Sequence, residues 1–156
     1  MKSYIRSLAF ALVISSGAVC AAPEPVPGGA SAPADPVMER GMALVERKDW
    51  AGAAGVFRDA VARDAGKAGY HNMYAYSLRN QPNPAMDLVF KHYNEALRLD
   101  PNHRGAHEYL GEAYLMVGNV AEAKEHLGVL DRLCTFGCPE YSMLKKAVAN
   151  HEAKKK

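Results

Sequence analysis

Two cysteines near the C-terminal end offer the clearest chemistry in the sequence. Cys134 and Cys138 are separated by three residues, in the run Leu-Cys-Thr-Phe-Gly-Cys-Pro. In an oxidising compartment such a pair most simply forms a disulfide. Two alternatives stay open. One is a redox-active pair, although those are usually spaced Cys-x2-Cys in a βαβ context. The other is a pair of metal-binding thiolates, although no second Cys or His pair follows at zinc-like spacing.

Histidines and methionines are the next candidates for chemistry. His103 and His107 have the i, i+4 spacing with which a helix can chelate a metal, but the adjacent glutamate of a metalloprotease helix is absent. We interpret His107, and also His71, as residues that pack between helices. The methionines could be soft Cu(I) ligands, yet they are scattered along the chain. With no Ser-His-Asp order and no glycine-rich phosphate loop, the sequence predicts no enzyme, no metal site and no cofactor.

The first 21 residues have the pattern of a cleavable secretory signal peptide. Lys2 and Arg6 form a basic start, residues 8–14 are apolar, and small residues precede the expected cleavage after Ala21. Export would bring the chain into an oxidising compartment, most simply the periplasm. Cys20 is not expected to carry a lipid anchor, because the residues before it do not fit a lipoprotein signal.

The rest of the chain is electrically balanced. All 17 acidic residues lie beyond residue 21, where an equal number of Lys and Arg residues matches them. This balance argues against a nucleic-acid partner, which would favour a basic surface. No apolar run is long enough for a permanent membrane span. Residues 22–34 are rich in Pro, Ala and Gly, a composition that predicts a linker and not a folded element.

From residue 35 onward the apolar residues recur with helical spacing, and turns follow at intervals of about seventeen residues. The clearest stretch is 104–137. There, two successive helices would mix small and large residues on one face: Leu110, Gly111 and Tyr114, then Ala123, Leu127 and Leu130. Small residues at such places let two antiparallel helices approach closely. This pattern resembles the tetratricopeptide repeat (TPR), a 34-residue helix–turn–helix unit.

Two further copies precede this stretch. Residues 34–67 and 68–103 fit the same frame, the second with two extra residues in its turn at 81–84, where an insertion costs little. His71 and His107 occupy the same place in the second and third copies, where a bulky residue packs between helices. This is why we assign both to the core. The first copy is the least regular, as terminal repeats usually are.

A last helix over residues 139–153 would close the array. Pro139 and Glu140 suit a first helical turn. Lys145 stands where a small residue would be needed if another helix packed there. Residues 154–156 form a basic tail. The TPR resemblance implies an all-α, right-handed superhelical solenoid over residues 35–153, made of three repeats and this capping helix.

For function, the resemblance implies a scaffold for protein–protein contact and not a catalyst. In TPR domains the first helices of successive repeats line a concave groove that holds a peptide or a partner's helix. The residues at the groove positions are Met38, Met42, Asn72, Tyr76, Arg79, Glu108, Glu112, Leu115 and Met116. The two glutamates argue against a clamp for a peptide carboxylate. The mixture favours a partner with apolar anchors and some basic residues.

We therefore expect an exported module that binds another protein or peptide of the cell envelope. A thiol-redox or metal-handling protein that uses Cys134 and Cys138 is the alternative. Weak self-association through stacked terminal helices is a third interpretation, against which the polar Lys145 argues mildly.

Overall fold

The computed structural model describes residues 35–154, which form seven α-helices and no strand. The helices are α1 (Pro36–Glu46), α2 (Trp50–Arg63), α3 (Ala68–Arg79), α4 (Met86–Leu99), α5 (Arg104–Met116), α6 (Val120–Leu133) and α7 (Pro139–Ala153). The predicted signal peptide, the predicted linker over 22–34 and residues 155–156 of the basic tail lie outside the described residues.

Each helix packs against the next one along the chain. The odd-numbered helices also approach one another in series, α1 with α3, α3 with α5 and α5 with α7. Within the described range, α2, α4 and α6 do not approach one another. When the helices of one layer are in contact and those of the other layer are apart, the stack curves toward the layer whose helices are in contact. The odd-numbered helices are therefore the inner layer of a curved solenoid, and the predicted all-α class is confirmed.

Helix starts are determined by side chains that accept hydrogen bonds from free backbone N–H groups. Asp35 Oδ1 accepts from the backbone nitrogens of Val37 and Met38, both at 3.1 Å. Asp49 Oδ1 accepts from the backbone nitrogen of Gly52 at 2.9 Å. These caps fix where α1 and α2 begin, and with them the register in which the first repeat presents its inner face.

Small residues at one place of the repeat allow close contacts between helices. A Cβ on Gly41 would overlap the ring of Phe57, which is fully buried in α2. At the same place in the third repeat, a Cβ on Gly111 would come within 2.6 Å of Leu144 Cδ2 in α7. Ala75 occupies this place in the second repeat and is fully buried. The alternation of small and large residues that predicted the repeats thus corresponds to real helix contacts.

Two histidine pairs, buried except for the half-buried His126, join the helices of the second and third repeats. His71 Nδ1 lies 2.9 Å from His92 Nδ1, and His107 Nδ1 lies 2.9 Å from His126 Nδ1. The Nε2 atoms of His71 and His107 lie 3.1 and 2.9 Å from the backbone carbonyl oxygen of the residue six positions earlier. The prediction that His71 and His107 pack in the core is confirmed.

The contacts also determine where the protons of each pair reside. A carbonyl oxygen can only accept, so Nε2 of His71 and Nε2 of His107 carry a hydrogen. In the neutral ring Nδ1 is then an acceptor, and the partner ring donates from its own Nδ1. Burial first, and then the neighbouring histidine ring, lowers the pKa of His92 to about 4. The same two causes lower the pKa of His126 to about 4.

Replacing Gly41 with Ala should destabilise the fold, even though alanine favours a helix over glycine by about 1 kcal/mol. The added methyl group must displace the buried ring of Phe57, and overpacking of this kind costs about 1–3 kcal/mol. Gly55 in α2 is the matched control, because nothing lies within 4 Å of the Cβ it would gain, so Gly55→Ala should be stabilising. Urea unfolding measures the difference. Equal stability of the two variants would contradict the prediction.

The contribution of His92 and His126 to stability should fall as the pH falls from about 6.5, the ordinary pKa of histidine, to about 4. In that range the unfolded chain binds protons that native His92 and His126 do not, so protons favour the unfolded state. A His92→Asn/His126→Asn variant keeps a neutral hydrogen-bonding amide in each pair. Its melting temperature should therefore fall less than that of the wild type between about pH 7.5 and about pH 5. His103→Asn, which leaves both pairs intact, is the control. The prediction is wrong if the double variant falls as far as the wild type.

Candidate functional site

The nine predicted groove residues lie on α1, α3 and α5, and we call them together the inner surface. Met38 and Met42 lie on α1, the next three residues on α3 and the last four on α5. Two glycines lie where these helices meet. Met38 Cε would be 3.2 Å from a Cβ on Gly69 of α3, and Asn72 Nδ2 would be 3.6 Å from a Cβ on Gly105 of α5.

Five of the nine residues reach solvent. Met42 and Met116 are exposed, at 36% and 54% of their full area. Met38, Tyr76 and Glu112 are half-buried. These five side chains come from all three helices, so a ligand that crosses the inner surface would meet each of them in turn.

The other four residues are buried. Asn72 and Glu108 are each 4% exposed, Arg79 is 9% exposed and Leu115 is 8% exposed. Leu115 belongs to the apolar core that α5, α6 and α7 share, so it supports the surface from below. The other three are polar, and their burial matters more, because a buried polar group needs a hydrogen-bond partner.

One ion pair links α3 to α5 across the inner surface. Arg79 Nη2 donates a hydrogen bond to Glu112 Oε2 at 2.8 Å. The guanidinium group also lies over two aromatic rings, 5.5 Å from the centroid of Tyr76 and 5.7 Å from that of Tyr109, a contact that cations and ring faces favour. The charge of Arg79 is therefore already neutralised by Glu112 within the fold. This agrees with the prediction that the inner surface does not clamp a peptide carboxylate.

Glu108 is a buried acidic residue of the inner surface whose charge no ion pair within the described residues neutralises. No hydrogen bond or ion pair to its carboxylate is present within residues 35–154. Burial is the main cause that raises the pKa of Glu108 to about 7, followed by the nearby charges of Glu112 and Glu140, while Arg79 opposes the shift. Near neutral pH this side chain therefore lies close to its midpoint of ionisation.

Two further acceptor atoms in this region are buried without a donor. They are Asn72 Oδ1 and Glu140 Oε2. The other oxygen of Glu140, Oε1, lies 3.9 Å from Arg104 Nε. Sequence reasoning gave Glu140 only the role of a residue that suits the start of a helix. The repeat frame could have indicated that Glu140 belongs to this region, because α7 lies where the first helix of a fourth repeat would be and so extends the inner layer.

Sequence reasoning also missed Tyr109 and the histidines that pair with His71 and His107. Tyr109 stacks on Tyr76, with ring centroids 4.6 Å apart. His92 and His126 could have been found by comparing equivalent places in the second helices of the two repeats, once the two-residue insertion was allowed for. Among residues 35–154, no three His, Cys, Asp or Glu side chains are grouped so that they could hold a metal ion.

The cysteines form the predicted disulfide, with Cα atoms 5.6 Å apart. Cys134 caps the end of α6, and Cys138 caps the start of α7, where its Sγ accepts from the backbone nitrogen of Tyr141 at 3.5 Å. The bond thus holds the turn between the third repeat and the last helix. Phe136 in this turn is fully exposed. None of the described helices combines the length and the apolar character needed to cross a bilayer.

No model of a known protein family matches the sequence, and no curated protein is significantly similar to it. Solved structures do match. The type III secretion translocator chaperone SycD of Yersinia enterocolitica, in an alternative dimer, gives a TM-score of 0.66 at 17% identity, over 78% of this chain and 92% of that one. The same chaperone in complex with a peptide of the translocator YopD gives 0.64 at 16% identity, over 78% and 93%.

A third similar structure is the complex of the TPR2B domain of yeast Sti1 with pHsp70. Its TM-score is 0.67 at 18% identity, and the match covers 76% of this chain and 95% of that one. At such identities the similarity establishes the fold alone. The chain has the fold of TPR proteins, as the sequence predicted.

Replacing both cysteines with serine should lower the free energy of unfolding by about 2 kcal/mol, the chain-entropy value for a small ring. The loss should be concentrated in α7, because the bond connects that helix to α6. Amide hydrogen exchange measures it, with the amides of α3 as the internal control. If exchange in α7 of the Cys134→Ser/Cys138→Ser variant matches that of the wild type, the disulfide does not have this structural role.

Proposed function

We propose that this chain is a non-catalytic, exported protein-binding module that holds a segment of another cell-envelope protein on its inner surface. The observation that carries the proposal is the inner layer, in which α1, α3 and α5 come together on the concave side of the solenoid. Exposed Met42 and Met116 lie on the first and third of these helices, with Tyr76 on the helix between them.

The side chains of this layer are suited to holding a peptide or a helix. Methionine is unbranched and adapts its shape to a partner, whereas tyrosine offers a large contact area with few rotatable bonds. Tyr76 is also held in place, because its ring lies 6.0 Å from that of Trp50 and 4.6 Å from that of Tyr109. A side chain that is already ordered loses less entropy on binding.

Two of the similar structures support the proposal through what they contain. The SycD structure holds a peptide of the translocator YopD, and the Sti1 domain is in complex with pHsp70. In both cases a helical array of this fold is seen with a peptide or partner protein. We infer the same general role for this chain, with a partner of its own.

Export to the periplasm is part of the proposal. It is supported by the signal-peptide pattern of residues 1–21 and by the disulfide, since disulfides persist in oxidising compartments. The partner would then be another protein of the cell envelope, which meets the inner surface after export.

Site-specific photo-crosslinking in the producing cell tests the proposal. A photoreactive amino acid at Met42 or at Met116 should trap the same partner, in the envelope fraction. The same group at Lys91, which is exposed on α4 outside the inner layer, is the matched control and should not trap that partner. Crosslinks from Lys91 alone would contradict the proposed surface, and crosslinks confined to the cytosol would contradict export.

Tyr76→Ala should weaken partner binding by about fivefold or more, because truncation of a central aromatic anchor costs over about 1 kcal/mol. The crosslink yield from Met116, measured against partner concentration, reports the change. A circular dichroism melt establishes that the variant is folded. A folded Tyr76→Ala variant with wild-type binding would exclude Tyr76 from the site.

A further inference from the structure

We propose that the inner surface and the first turn of α7 together form a subsite for one basic side chain, Lys or Arg, of the bound segment. The subsite consists of Glu108, Asn72 and Glu140, and we call it the acceptor subsite. The inference rests on the proposed function, because it specifies the chemistry of a group that the bound segment must carry.

The three residues come from three successive helices of the inner layer. Glu108 lies on α5, one turn after Gly105 and on the same face. Asn72 of α3 reaches this face, since its Nδ2 would be 3.6 Å from a Cβ on Gly105. Glu140 lies in the first turn of α7, which packs on α5, and its charge acts on Glu108. The fold thus brings together side chains that are far apart in sequence.

The unpartnered atoms of the acceptor subsite are all acceptors, because Asn72 Nδ2 already donates to Met73 Sδ at 3.8 Å. Asn72 Oδ1 and Glu140 Oε2 are buried without a partner, and the Glu108 carboxylate accepts no hydrogen bond within the described residues. Leaving a buried acceptor such as Asn72 Oδ1 unpaired is unfavourable, because the atom has lost its hydrogen bonds to water. An ammonium group brings three N–H donors and a guanidinium group brings five, and neither brings an acceptor. A basic side chain is therefore the ligand group that complements this set.

The charges lead to the same ligand class. Two cations are near, but each already has an acid of its own: Arg79 donates to Glu112 at 2.8 Å, and Arg104 lies 3.9 Å from Glu140. The carboxylate of Glu108 is left over, so the region has one more acid than base. An anionic ligand would add to this excess and bring further acceptors. A cation would neutralise it.

The acceptor subsite is open on the side of Gly105. This residue is half-exposed and has no side chain, and the ring of His103 borders it, with Cε1 3.6 Å from the Cβ that Gly105 would gain. The buried donor Arg79 Nε, which also lacks a partner, lies further along α3, beside Glu112. A long basic side chain can pass Gly105 with its apolar stem and place its charged end among the acceptors.

The test uses peptides of random sequence displayed on phage and selected on the mature chain, residues 22–156. Only peptides whose binding is lost on Tyr76→Ala are kept. We expect Lys or Arg to recur at one position. Replacing that residue with Met, which is of similar length and uncharged, should weaken binding to the wild type by about tenfold or more. On a Glu108→Gln variant the same replacement should change binding less than about twofold.

Glu125→Gln is the matched control, because Glu125 is an exposed acid on α6, outside the inner layer. It should respond to the peptide replacement as the wild type does. Equal losses on the wild type and on Glu108→Gln would overturn the inference and leave the proposed function standing. Failure to select any peptide that depends on Tyr76 would count against the proposed function itself.

A small probe decides the inference independently of any peptide. The carboxyl carbon of Glu108 can be followed by NMR during a pH titration, in the presence of n-butylammonium or of neutral n-butanol. Bound ammonium should lower the pKa of Glu108 from its value of about 7, because a nearby cation favours the carboxylate. Butanol should leave it unchanged. The same pKa with and without n-butylammonium would overturn the inference.

Discussion

Close approach of helices at small residues is the constraint on which the structure depends. At Gly41 and Gly111 there is no room for even a Cβ without displacing Phe57 or Leu144, and Ala75 is fully buried at the equivalent place. Because interiors are packed as densely as organic crystals, a larger residue at any of these places would push a neighbouring helix outward. Gly41 thus permits the contact between α1 and α2, and Gly111 permits the contact between α5 and α7 within the inner layer, so these places must stay small.

Most of the fold could be predicted from the sequence because the constraint that governs it is local and repeated. The spacing of small and large residues marks each helix pair, and the three repeats and the capping helix follow from it. The predicted and observed final helix both begin at Pro139, since proline costs no hydrogen bond in a first turn. A rule that depends on residues a few positions apart can be read from one chain.

The inner surface was less predictable because exposure depends on neighbours that are distant in sequence. The repeat frame assigns Asn72 and Glu108 to the groove, yet each is only 4% exposed. Nor does the frame indicate that Glu112 is already paired with Arg79, 33 positions earlier. The same limit hides the partners of His71 and His107, which lie across a turn in the second helix of each repeat. Which side chains form a pair depends on how all the helices pack, whereas whether a segment is helical can be predicted from the sequence of that segment.

The two histidine pairs also restrict how this sequence can change over evolutionary time. The first repeat has Val37 and Val56 at the places where the second and third have histidines, so an apolar pair serves the same position. A change from His–His to Val–Val needs two substitutions, and the intermediate with one valine leaves a buried imidazole nitrogen without its partner, at a cost of about 1–3 kcal/mol. In a protein that is only marginally stable, selection would remove most such intermediates. A histidine pair and a valine pair are therefore both structurally acceptable, but the intermediate between them is less stable than either.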